Sequence, residues 1–159
     1  MGFFAPLIFA AVLLGFAALF GQESKVGAIN TIQVQAQSDG QSFLAYRNAV
    51  MTYQQNNPTF TGIVPNSALG SGFSSSFLGL VGNKVVSTGV RNGRVVICYG
   101  NFARTVAAQA AIASNNDASF GISNGTTWIS AAVGASTVAM PLASAIPSGN
   151  VVAVIQLDL

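Results

Sequence analysis

The first run of the chain is the simplest to read. From Phe3 to Phe20 it is FFAPLIFAAVLLGFAALF, with no charge and no hydrogen-bonding side chain. At about 1.5 Å per residue such a helix is about 27 Å long, close to the ~30 Å hydrocarbon core of a bilayer. Pro6 falls in the first turn, where its missing N–H costs little. The pattern predicts a transmembrane anchor over residues 1–21 and one extracytoplasmic domain over residues 22–159. Ala11, Gly15 and Ala18 are spaced to share one face of the anchor helix, and small residues there let a second helix approach closely. Small residues scattered through an Ala-rich anchor are the competing reading. A cleaved signal peptide is a further alternative, but it wants a basic start and small residues at its cleavage site. Here no Lys or Arg precedes the apolar run, and AALFGQ lacks that pattern.

Beyond the anchor, Ala28 to Asn57 carries Ile29, Ile32, Ala36, Asp39, Phe43, Tyr46, Val50 and Tyr53 at steps of three and four. That spacing predicts one long amphipathic helix with a single buried stripe. Gly40 is expected to weaken or bend it, and Asn56-Asn57-Pro58 to end it. Gly62 to Gly82 is Gly/Ser-rich and uncharged and reads as a loop, with Leu78, Leu80 and Val81 tucking in. Two hairpins follow: Lys84–Val90 with Arg94–Tyr99 around Arg91-Asn92-Gly93, and Asp117–Ser123 with Thr126–Ala131 around Asn124-Gly125. Asn-Gly supplies the positive φ angles of two-residue turns. Between them Asn101 reads as the cap of an Ala-rich helix through Ser114. Val138–Leu142 reads as a short strand. Val151–Leu157, nearly all apolar and β-branched, reads as a central one. The fold class is α+β: an anchor helix leading into a long helix packed on one antiparallel or mixed sheet, a pilin-like layout.

Composition narrows the function. Charged residues are 6% of the chain, against roughly 25% in average soluble proteins. The net charge of +2 is spread thinly, so no basic patch points to nucleic acid. The low charge leaves little to discourage self-association, which makes a second copy a candidate partner. There is no histidine, one cysteine and four acids. A Ser-His-Asp arrangement is excluded, metal ligands are too few, and no Gly-rich loop ends in Lys-Ser or Lys-Thr. We expect no enzyme, no cofactor and no metal. Cys98, in the run VVICYG, reads as a small buried hydrophobe.

Two residues are candidates for contacts. Asp39 is a carboxylate on an apolar stripe, so it pairs with a cation such as Arg104, meets a partner subunit, or rotates into solvent. Arg47 lies one position off the stripe. There its stem covers apolar surface while its planar head is offered to a partner; pairing with Asp39 or plain solubilisation are the bland readings.

One block is more specific. Ser42-Phe43-Leu44-Ala45-Tyr46-Arg47-Asn48-Ala49, continued by Asn57-Pro58, Thr61-Gly62 and Val64-Pro65, resembles the PilM family of type IVB pilus biogenesis proteins. The tail Pro147-Ser148-Gly149-Asn150-Val151-Val152 is similar too. That family occurs in thin-pilus gene clusters, including those of conjugative plasmids. The resemblance implies an accessory or structural pilus component. It would be single-pass in the bacterial inner membrane with its C-terminal domain periplasmic. Its partners would be pilus-assembly proteins, pilins and membrane lipid. The alternative is a minor pilin or anchored adhesin that enters the filament. Gly2-Phe3 looks like a prepilin cleavage junction, yet the fifth position of that mature chain, a glutamate in prepilins, is Leu7.

Overall fold

The computed structural model describes residues 31–89 and 93–157. The chain divides into two units, Met1–Gln35 and Ala36–Leu159. The predicted anchor Phe3–Phe20, with Ala11, Gly15 and Ala18, lies outside the described residues, as does Ile29. Among the described residues no helix is long and apolar enough to cross a membrane.

Helix α1 covers residues 31–56. Ala36, Phe43, Tyr46 and Val50 are buried on one face and Tyr53 is half-buried, so the predicted stripe holds from Ala36 onward. Ile32, assigned to the same stripe, is 65% exposed because the core begins at Ala36. Gly40 does not break the helix. A Cβ there would stand 2.9 Å from both the Ala110 backbone N and the Gln109 Cβ. Gly40 is therefore the point where a second helix crosses α1 too closely for any side chain. At its end the Asn57 side-chain amide donates to the Tyr53 carbonyl at 2.9 Å, directly before Pro58.

The predicted loop 62–82 is more structured than its composition suggests. It holds a 3-10 turn, Asn66–Ala68, and a one-turn helix α2, Ser75–Leu78. The Ser74 hydroxyl caps α2 by accepting from the Phe77 N–H at 3.2 Å. This sets Phe73 and Phe77 edge-on to Tyr46. Leu78 and Val81 pack on the core as expected, whereas Leu80 is 46% exposed.

Six strands follow: β1 Val81–Ser87, β2 Arg94–Gly100, β3 Phe120–Ser123, β4 Gly125–Ser130, β5 Met140–Ile146 and β6 Val151–Leu157. They form one sheet in the order β1-β2-β6-β3-β4-β5, and every pairing is antiparallel. Both hairpins are present. The turn residues 90–92 of the first lie outside the described residues. In the second, the Asn124 N–H donates to the Thr127 carbonyl at 2.7 Å, so the turn residues are Gly125 and Thr126. The pair slips one residue past Asn-Gly because Gly125, with φ of 92°, takes the first central position, where only glycine is unstrained. The final strand β6 is central, as its β-branched run requires.

Helix α3, Thr105–Ala113, connects the hairpins. Asn101 does not cap it: the helix starts four residues later, behind Arg104, without a side-chain cap. It stops where Asn115 and Asn116 turn left-handed, at φ of 60° and 62°.

Alternation along the strands builds two cores. Val85, Val96, Cys98, Phe120, Val151 and Ala153 face the helices and meet Phe43, Tyr46 and Val50 of α1 and Val106 and Ala110 of α3. The opposite face gathers Ile97, Trp128, Ile146 and Val152. Gly121 makes room for Trp128 there, since a Cβ would collide with the Ile129 carbonyl and the indole. The sheet closes over this second core by curling. Lys84 of β1 donates to the Ser144 hydroxyl of β5 at 2.7 Å, so the two end strands come within side-chain reach.

The ends of the sheet differ. The edge of β1 is covered: Gly62 and Val85 exchange both backbone hydrogen bonds, at 2.8 and 2.7 Å. The register of β5 on β4 jumps between the pairs Thr127↔Pro141 and Gly125↔Ile146. Leu142, Ala143, Ser144 and Ala145 therefore have no register partner on β4, although they remain extended.

Candidate functional site

Arg47 follows Tyr46 on α1, so its stem leaves the buried stripe at the rim of the core. Its guanidinium lies 5.1 Å from the centroid of the Phe120 ring. Its Nη2 donates to Asp117 Oδ2 at 2.6 Å and to the Ser119 hydroxyl at 3.3 Å, and Nη1 donates to the Asn48 side-chain oxygen at 3.3 Å. The acid that meets Arg47 is thus Asp117, not Asp39. Asp39 sits half-buried on α1. Asp117 is held in the turn after α3, where its Oδ1 accepts from the Ser119 N–H at 2.9 Å. Partial burial opposes its ionisation, but the Ser119 backbone and hydroxyl and the Arg47 charge outweigh it and hold its pKa below the ordinary carboxylate value. The arrangement ties α1 to the α3–β3 turn, and no group in it is poised as a nucleophile or base.

A depressed folded-state pKa means that the fold favours the ionised carboxylate. Its contribution is present above the unfolded value near 3.9 and disappears as pH falls through the lower folded value. We expect Arg47→Ala to cost about 1–2 kcal/mol near neutral pH, from the partly exposed ion pair and the lost ring contact together. Chemical denaturation should show this gap narrowing as pH falls below the unfolded value near 3.9. A gap that stayed constant through that acid range would assign the whole cost to the ring contact.

Behind this rim lies a buried polar knot. The Asn83 side chain on β1 accepts from the Val64 N–H at 2.7 Å and donates to the Val64 carbonyl at 3.1 Å and to the Tyr46 hydroxyl at 2.9 Å. One amide thereby fastens the segment before the 3-10 turn to the sheet and orients Tyr46 on α1. Burial outweighs the Asn83 hydrogen bond and pushes the Tyr46 phenol up to about 12. Burial likewise pushes the Cys98 thiol up to about 12, which leaves it neutral and unreactive.

An open groove of about 450 Å³ is lined by Arg104, Ile122, Asn124, Ile129 and Ser130 among others. Its lining sets one cation, Arg104, beside the side chains of Ser123, Asn124 and Ser130 and the apolar Ile122, Ile129 and Ala131. Among the described residues no three of His, Cys, Asp and Glu come together. Neither Asn83 nor Asp117 was marked by its sequence context. Asn83 precedes the strand expected from Lys84, and Asp117 stood at the start of a hairpin arm.

The PilM family matches the chain over residues 8–154, from within the apolar stretch to the last strand. The chain belongs to the PilM family. The crystal structure of a protein PilM from Escherichia coli B7A is similar in fold, with a TM-score of 0.53 at 15% identity over 77% of this chain and 92% of that one. No curated protein matches the chain. The block from Ser42 to Pro65 that resembles PilM supplies Phe43, Tyr46, Arg47 and Val64, residues of the core, the rim and the knot. PilM membership makes this a pilus-related protein.

Proposed function

We propose that the protein is an accessory or structural component of a type IVB pilus, held in the inner membrane by Phe3–Phe20 with its folded domain in the periplasm. The observation that carries this reading is the PilM match over residues 8–154, which includes most of an apolar stretch of bilayer length. Its work is done by contact surfaces that engage other pilus-assembly proteins or pilins. That follows from the chemistry of the rim, the knot and the groove, each of which binds or braces without a reactive group.

Two measurements test it. The full-length chain should stay in the membrane pellet through alkaline carbonate washing, and a reporter active only in the periplasm, fused after Leu159, should give signal. Release at full length removes the anchor, and signal from a cytoplasm-only reporter reverses the topology. A minor filament subunit is the second reading, favoured by a long helix lying on one face of an antiparallel sheet. N-terminal sequencing that found a chain beginning at Phe3 would assign the protein there.

A further inference from the structure

The two ends of the sheet are handled differently, and the difference points to a partner. At β1, Gly62 and the Asn83 side chain occupy the edge. At β5, no described strand pairs with the outer edge, and residues 142–145 have no register partner on β4. Natural sheets protect such edges with charges, prolines or covering segments. Here Pro141 stands near the start of the strand, and β5 carries no charge of its own. Beside it lies Lys84, an exposed cation on the same face as Ser144, which among the described residues meets that hydroxyl and no carboxylate.

We propose that the edge of β5 is a strand-addition site for an extended segment of a partner protein. That segment presents apolar side chains toward Leu142 and Ile146 and an acidic side chain toward Lys84. Main-chain hydrogen bonds to residues 142–145 supply the affinity, and alternate side chains supply the selectivity, as strand addition requires. The acid follows from charge complementarity, because Lys84 of β1 lies beside this edge and its partner among the described residues, Ser144, is neutral. The proposal stands on the sheet alone and does not depend on the anchor or its topology.

The test uses the full-length chain in detergent micelles. The probe is a synthetic peptide of about ten residues alternating valine and threonine, with one central valine replaced by aspartate; a twin carries lysine there. Amide hydrogen exchange at Leu142–Ala145 should be fast in the free chain and slow about ten-fold with the aspartate peptide. The aspartate peptide should bind about two- to five-fold tighter than its twin, and Lys84→Glu should invert that order. Ala143→Pro, which removes an edge N–H, should abolish the protection. If that variant fails to fold, the Lys84→Glu inversion decides by itself. Equal binding of the two peptides, no inversion, or no protection by either would overturn the proposal. Protection of the free chain that grows with its own concentration would also overturn it, and would give the edge to a second copy.

Discussion

Replacing Phe43 by alanine should destabilise the domain by about 3–5 kcal/mol, the usual cost of emptying a core phenyl site. The ring is fully buried and packs edge-on against Phe102 at 5.8 Å and Phe120 at 6.1 Å. Those rings come from the segment before α3 and from β3, so the cavity would open between α1, the α3 region and the sheet at once. Relaxation is hindered nearby, because Gly40 already holds α1 in contact with the α3 backbone. A domain of this size has roughly 5–15 kcal/mol of stability to lose. Urea unfolding is the direct measurement, and a midpoint equal to the parent's would mean that Phe43 does not face this core.

The second large effect is expected at Asn83. Asn83→Leu keeps the volume and removes the amide. It strands the Val64 N–H, the Val64 carbonyl and the Tyr46 hydroxyl, which Asn83 now satisfies. A buried polar group left unpaired costs about 1–3 kcal/mol, so the sum should reach about 3–5 kcal/mol. Adding Tyr46→Phe should return part of that loss, because one stranded group is then removed. Strict additivity of the two substitutions would show that the hydroxyl and the amide are energetically independent. The parent fold should also weaken as pH rises from about 10 toward about 12. Tyr46 is held neutral by the fold, with its pKa pushed up to about 12, and its contribution is full below the unfolded value near 10.

Several elements were legible because they rest on local periodicity. Phe43, Tyr46 and Val50 repeat at helical spacing, and that alone places them on the buried side of α1. The run Val151–Leu157 is apolar on both faces, which only a strand covered on both sides tolerates. Asn-Gly marked the second hairpin correctly but not its register, since choosing which two residues form the turn depends on how β3 and β4 pair. The apolar pattern places a strand at Val138–Leu142, two residues before the strand that forms. Strand β5 runs Met140–Ile146, and its limits are set by β4 and by the curl of the sheet.

The functional surfaces were less legible. Arg47 was marked as a contact residue from its place beside the stripe, but the carboxylate it meets is 70 residues away. Asp117 reaches it because two left-handed asparagines fold the chain back after α3. Nothing around Asn83 distinguishes it from a solvated strand asparagine until Val64 and Tyr46 arrive from other parts of the chain.

By itself the sequence determined the apolar stretch of bilayer length, the amphipathic helix and the strand-forming runs. Each of these follows from side-chain type at fixed local spacing. Tertiary structure alone decided that Gly40 is a helix crossing, that Asp117 answers Arg47, that Asn83 knots three segments and that Gly62 covers β1 while β5 ends the order of described strands. Those outcomes depend on which distant backbones approach one another. That is set by the summed burial of two cores, and no local window of the chain contains it.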